Sequence, residues 1–208
     1  MDWVKSQPFY KDNINIFSYK KYFGYFLWKP YIILDALKRA ETSNILYCDS
    51  NMVFKNTPSF NYAFNESINK SNVFLVKHKN FINKDWTKRD TFVYMGLDEK
   101  RYWDANQIWS VIMGFENNLE NKYLLSEYLS YCRDERVLTE LSNQCGLENL
   151  DGFREHRWEQ SIMSLLVEKH KIPTYYWDYE MIQYIDKYYD EGLLKLKAEV
   201  NSNPLEKE

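Results

Sequence analysis

Four groups of polar residues stand where side chains could do chemistry. Asp49, Ser50 and Asn51 follow directly on the apolar run 45–48, so a short buried strand delivers a carboxylate, a hydroxyl and an amide to its own tip. Oxygens of that kind suit a hard divalent cation, which commonly bridges substrate phosphates; an Asx turn joining two strands is the alternative. Lys29 precedes Pro30, beyond which Ile32, Ile33, Ala36, Leu37 and Ala40 recur at helical spacing. Trp28 and Lys29 are thus placed at a helix N-terminus, where backbone N–H groups and an ammonium can hold an anion; a snorkelling lysine beside a packing tryptophan is the other reading. Thr87 with Asp90 forms a capping-box-like pair and leaves Lys88 and Arg89 without a structural task. Finally, His156, Glu159 and Gln160 lie at i, i+3 and i+4 and share one face if a helix has begun by His156; first-turn acids favoured by the helix dipole would give the same pattern.

The elements that must position these groups alternate between apolar runs and helical periods, which is the pattern of an α/β fold. Strands are expected at residues 45–48 and 73–76, both as interior strands. Another is expected at 107–115, ending at Gly114, which permits a bend. Helices are expected over 30–40, 60–69, 119–132 and from about residue 153, and a last short strand over 173–177. Residues 1–23 show no periodic pattern, and 133–151 is polar, with Gly146 and Gly152 as breakers, as a mobile loop would be. Tyr184, Tyr188 and Leu193 to Leu196 suggest a helical appendage over 179–208, behind a main domain of residues 1–178.

Composition excludes several classes. The 208 residues are enough for one domain with a sizeable core. A net charge of -3 does not fit a bulk electrostatic nucleic-acid binder. No apolar run is long enough for a transmembrane segment, and the N-terminus lacks a basic segment followed by an apolar one, so a cytoplasmic location is expected. Cys48, Cys132 and Cys145 with the three histidines make no zinc-type spacing, and free thiols in a reducing compartment are the simpler account. The 18 Tyr and 7 Trp are more than usual; sugar-binding clefts use such rings as stacking surfaces, although a core takes most of them.

Read together, Gly24-x-x-x-Trp28-Lys29-Pro30, Tyr47-x-Asp49-Ser50-Asn51, Thr87-Lys88-x-Asp90, Gln107 and Phe153-x-x-His156-Arg157-x-Glu159-Gln160-Ser161-Ile162 resemble one family. It is that of the small GT-A type nucleotide-sugar glycosyltransferases of bacterial surface-polysaccharide clusters and some large DNA viruses. The resemblance runs from about Gly24 to Trp177. It implies a three-layer α/β sandwich with a mixed, mainly parallel sheet, and a metal-dependent transfer of sugar from a nucleoside-diphosphate donor, a UDP-sugar first, to a glycan or other hydroxyl acceptor. The implied cofactor is Mn²⁺ or Mg²⁺ on Asp49 and Asn51. Donor contacts would come from Trp28, Lys29, Tyr47, Asp49, Asn51, Lys88, Asp90, Arg157 and Gln160. Catalytic roles fall to Glu159 and His156.

Three departures accompany the resemblance. Asn51 is neutral where a second carboxylate is usual, which weakens cation binding but keeps an oxygen. Glu159 replaces an aspartate and carries its carboxylate about 1.5 Å further out, a displacement of the size that matters for positioning. Only about 23 residues precede Gly24, so the customary first strand-helix unit, part of the site for the nucleotide base, is expected to be missing. A degenerate, non-catalytic nucleotide- or carbohydrate-binding module is therefore the competing expectation. Inverting and retaining outcomes both remain compatible with these residues.

Overall fold

The computed structural model describes residues 1–41, 44–55, 57–176 and the backbone of 182–184. The expected α/β character holds, with a mixed four-stranded sheet. Its strands are β1 (Ile45–Cys48), β3 (Val73–Ile82), β4 (Asn106–Phe115) and β5 (Tyr175–Tyr176), while β2 (Met52–Phe54) pairs separately with β6 (Ile182–Tyr184). The spatial order is β1-β4-β3-β5. Two expectations are corrected here. The sheet is mostly antiparallel, since β1 and β3 both run against β4 and only β3 and β5 run parallel. Strand β1, expected in the interior, lies at an edge, with Leu46 exposed. An apolar run encodes burial, not strand direction or neighbours, so both errors have one cause.

Side chains alternate across the sheet and bury two clusters. Leu75, Ile108, Met113 and Phe115 join the larger one with Ile33, Leu37, Leu125, Tyr128, Ile162 and Leu166 from the helices Trp28–Arg39, Leu119–Cys132 and Trp158–Lys169. Phe74, Val76 and Ile112 face the other way, onto Phe60, Phe64 and Ile68 of the helix Thr57–Ser71. Helices thus cover both faces. Pro30 is accommodated in the first turn of Trp28–Arg39, where its missing N–H costs nothing. Gly114 does not end β4. The strand continues through it, and a Cβ there would stand 2.5 Å from the Phe64 ring, so the glycine makes room for a neighbour.

The first 17 residues, without a periodic pattern in sequence, form three short helices, Asp2–Ser6, Pro8–Asp12 and Ile14–Phe17. The next segment, Tyr22–Tyr25, is a helical turn of the unusual hand. Its φ angles are positive at Tyr22 (47°), Phe23 (52°), Gly24 (71°) and Tyr25 (52°), continuing to Phe26 (62°). Tyr25 N–H donates to the Lys21 carbonyl at 3.0 Å and Phe26 N–H to that of Tyr22 at 3.3 Å. Left-handed backbone costs about 1–2 kcal/mol for each non-glycine residue, so packing must hold it. Gly24 does part of that, since a Cβ there would lie 3.0 Å from the Ile16 carbonyl oxygen.

The segment 133–151, expected as a mobile loop, opens with the short helix Glu135–Leu138 and is then pinned by polar contacts described below. Tyr184, expected within a helical appendage, belongs to β6. The rest of that appendage, and Trp177 of the last expected strand, lie outside the described residues.

Candidate active site

Four segments far apart in sequence meet at one cleft. The Trp28–Arg39 helix brings Lys29, the tip of β1 brings Asp49, β4 brings Ser110, and the first turn of Trp158–Lys169 brings Glu159 and Gln160. The cleft has a volume of about 490 Å³, within the range of small-molecule sites. Tyr22, Phe26 and Trp158 form one wall, and His78, Phe81 and Trp109 also line it, with Arg157 completing the boundary.

The floor is an ion cluster. Lys29 Nζ lies 2.9 Å from Glu159 Oε1 and 3.4 Å from Asp49 Oδ1, and 3.4 Å from the Ser110 carbonyl oxygen, to which it donates. Ser110 Oγ donates to Glu159 Oε1 at 2.9 Å, and the Tyr47 hydroxyl donates to Asp49 Oδ1. The side chains of Lys29 and Glu159 are only 2% and 3% exposed, whereas that of Asp49 is 20% exposed. Asp49 therefore has the open carboxylate. Burial works to lower the pKa of Lys29, but the Glu159 and Asp49 carboxylates outweigh it and hold the ammonium charged. Burial pushes the Glu159 carboxyl up, Lys29 and Ser110 pull it back only in part, and Asp49 adds to the rise. Burial and the Asp49 carboxylate likewise drive the Tyr47 phenol up, so it stays a donor.

Gln160 is held by both neighbours. Its Oε1 accepts the Ser110 N–H at 3.5 Å and its Nε2 donates to Gln107 Oε1 at 2.8 Å. Gln107 Nε2 in turn donates to Thr87 Oγ1 (3.0 Å) and Ser161 Oγ (3.1 Å), and Ser161 Oγ donates to the Trp86 carbonyl at 2.8 Å. Sequence motifs that look separate along the chain are thus one buried hydrogen-bond network beneath the cleft.

Other expected residues lie elsewhere. His156 does not share a helix face with Glu159, because the helix begins at Trp158, whose φ is +46°. The His156 ring is buried outside the cleft lining, its Nδ1 accepting the Lys88 N–H at 3.4 Å and its Nε2–H donating to the Val137 carbonyl at 3.0 Å. Burial, and then Lys88, push its pKa down to about 3. Lys88 and His156 line a second pocket, of about 250 Å³, with residues of the 140–143 segment. Asp90 is fully buried and accepts the N–H groups of Gln144 and Cys145 at 2.9 and 2.8 Å. It holds the loop and does not line the cleft. No side-chain cap bond forms at the helix Arg89–Tyr94, so the capping-box pattern is not realised. Asn51 is buried in the turn between β1 and β2, outside the cleft lining. Trp28 packs edge-on against Phe26, with its indole N–H buried and unbonded. Arg157 sits at the boundary, its guanidinium 4.6 Å from the Trp86 ring centroid and 2.8 Å from Glu155.

Among the described residues, no three His, Cys, Asp or Glu side chains converge as a ready-made metal nest. A divalent cation here would take one carboxylate from Asp49 and its remaining oxygens from a diphosphate and water, as Mg²⁺ commonly does. Of the two expected metal ligands only Asp49 lines the cleft; Asn51 does not. Ser110, His78 and the aromatic walls carried no local signal, because aromatic residues are spread throughout the chain. Comparison with known proteins returns no matching family model, no matching curated protein and no matching solved structure.

Proposed function

We propose that this chain is a GT-A type glycosyltransferase that takes a nucleoside-diphosphate sugar, a UDP-sugar first, into the cleft and passes the sugar to a hydroxyl of a glycan acceptor. The observation that carries the proposal is the convergence of Lys29, Asp49 and Glu159 on the floor of an aromatic-walled cleft. Carboxylates and an amide beside aromatic rings suit a polyhydroxylated ring, whose hydroxyls donate to oxygen and whose C–H faces pack on rings.

In such a transfer the bond from the anomeric carbon to the phosphate oxygen breaks, a bond to the acceptor oxygen forms, and the acceptor hydroxyl loses its proton. Lys29 holds Glu159 in place and offsets the negative charge of the floor. Glu159, with its raised pKa, either takes the acceptor proton or fixes a sugar hydroxyl. Gln160 orients the ring by hydrogen bonding, and Arg157 offers a cationic fork to the departing diphosphate. Mn²⁺ or Mg²⁺, held through Asp49 and the diphosphate, would supply Lewis-acid stabilisation of the leaving group. His156, Lys88 and Asp90 have no part in these steps.

Calorimetry with UDP in the presence and absence of Mn²⁺ tests the proposal. Binding is expected to require Mn²⁺ in the parent and to be lost in a folded Asp49→Ala variant; undiminished Mn²⁺-dependent binding in that variant would overturn the assignment. The near-complete burial of Glu159 favours a second reading, a binding module that retains the cleft without turnover. Donor binding without sugar transfer would support it.

A further inference from the structure

We infer that the N-terminal face of the domain, a strip running from Arg39 through Trp3 and Lys5 to Lys20 and Tyr22, docks on an anionic lipid surface. Charge is the first observation. Residues 1–41 carry seven Lys or Arg against four Asp or Glu, whereas residues 42–208 carry 20 against 26. A chain that is acidic as a whole therefore has a basic end. Of the seven cations Lys29 alone is buried, in the floor of the cleft. Lys21 and Arg39 keep Glu140 and Asp35 as partners. Lys5, Lys11, Lys20 and Lys38 are exposed and pair with no acid among the described residues. Asp2 and Asp12, also exposed, offset only part of this charge.

Exposed apolar surface is the second observation. Val4, Phe9, Ile16 and Phe17 already supply the core side of the first three helices, yet Trp3, Ile14 and Tyr22 remain 44%, 53% and 50% exposed. Single exposed apolar residues need no explanation, so continuity decides the matter. The Arg39 guanidinium lies 5.7 Å from the Trp3 ring centroid, and Lys5, two residues further on, holds its Nζ 5.6 Å from that of Phe23. Phe23 N–H in turn donates to the Lys20 carbonyl at 3.4 Å, and Tyr22 stands between them in the chain. Cations and rings thus alternate along one path, from the end of the Trp28–Arg39 helix to the mouth of the cleft.

That composition matches a membrane interface. Tryptophan and tyrosine rings settle at headgroup level, lysine stems lie along apolar surface with the ammonium reaching outward, and each cation near an anionic leaflet adds a similar increment of attraction. A folded partner suits the strip less well. Its three helices have only four or five residues each, too few to present the repeated anchors that seat a partner helix, whereas a fluid surface demands no matching shape. Tyr22 belongs both to the strip and to the cleft lining, so docking sets the cleft mouth beside the headgroups. On the transferase reading this favours an acceptor anchored in the same surface; the docking itself does not depend on that reading.

Co-sedimentation of the full chain with vesicles tests the inference. Binding is expected to phosphatidylcholine vesicles that contain an equal part of phosphatidylglycerol, to fall as salt is added, and to be absent with phosphatidylcholine alone. A Lys5→Glu/Lys20→Glu double variant should bind about tenfold more weakly or worse, whereas Lys55→Glu/Lys79→Glu, which reverses two exposed lysines elsewhere, should bind as the parent does. Brominated lipid should quench part of the tryptophan emission, and that part should vanish in Trp3→Phe. No binding to the mixed vesicles, equal losses in the two double variants, or undiminished quenching in Trp3→Phe overturns the strip. Self-association of the parent without lipid, relieved by Trp3→Ser, would give the face to a second copy of the chain instead. Mn²⁺-dependent UDP binding without vesicle binding removes the docking inference alone, and vesicle binding without UDP binding removes the transferase reading alone.

Discussion

The ammonium of Lys29 and the carboxylate of Glu159 meet at 2.9 Å with almost none of either side chain exposed to water. Taking both charges out of solvent is expensive, and an apolar pair of similar volume would often be as stable or more so. Breaking the pair is a different matter, because the survivor stays buried.

Lys29→Met is therefore expected to lower stability by about 3–5 kcal/mol at neutral pH. It leaves Glu159 and Asp49 without their shared cation. A carboxyl whose pKa is higher folded than unfolded binds its proton more tightly in the native state, so its protonation restores stability as pH falls below the folded value. Urea unfolding of Lys29→Met at neutral and mildly acidic pH should show partial recovery in acid, relative to the parent. Equal stability of variant and parent at neutral pH would contradict the buried bridge.

His156 sets a separate pH dependence. With its pKa pushed from the ordinary value of 6.5 down to about 3, the folded state binds fewer protons than the unfolded state between those limits. Stability consequently rises with pH across that window and is lost as pH falls from about 6.5 toward 3, at up to about 1.4 kcal/mol per pH unit. Replacing His156 with Gln, which keeps a donor and an acceptor, should flatten the slope between pH 6 and 4. A slope unchanged in His156→Gln would assign the acid sensitivity to other groups.

Asp90 is predicted to act on the loop and not on the donor. Asp90→Ala removes the acceptor for two backbone N–H groups in the 144–145 segment, at a cost of roughly 2–4 kcal/mol. Hydrogen exchange should accelerate first at the amides of Gln144 and Cys145. UDP affinity of the folded protein should change little, whereas loss of UDP binding with the loop amides still protected would return Asp90 to the donor pocket.

The parts legible in sequence are those encoded by neighbouring residues. The apolar run ending at Asp49 announces a strand that delivers a carboxylate, and Pro30 with the apolar stripe beyond it announces the helix that carries Lys29. Glu159 and Gln160 were placed near a helix start for the same reason. What failed depends on partners far along the chain or on unusual backbone. His156 looked like one face with Glu159 because spacing assumes a continuous helix, and the positive φ of Trp158 breaks that assumption. Asp90 looked like a cap because Gln144 and Cys145 are invisible from its position. The left-handed turn at Tyr22–Phe26 left no signal beyond Gly24, since tyrosine and phenylalanine have no preference for left-handed backbone.

The wide separation of Lys29, Asp49, Ser110 and Glu159 along the chain also bears on how the site comes into being. Contacts between distant residues pay loop-closure entropy before they return any stability, so they form late. A nascent or partly refolded chain can possess its helices and its β3–β4 pair while Lys29 is still solvated and alone. The floor closes only when the Trp158–Lys169 helix docks on β4 and brings Glu159 against Ser110. A fragment ending before that helix would have to bury an ammonium with Asp49 as its only carboxylate partner, so the floor is complete only in the completed domain.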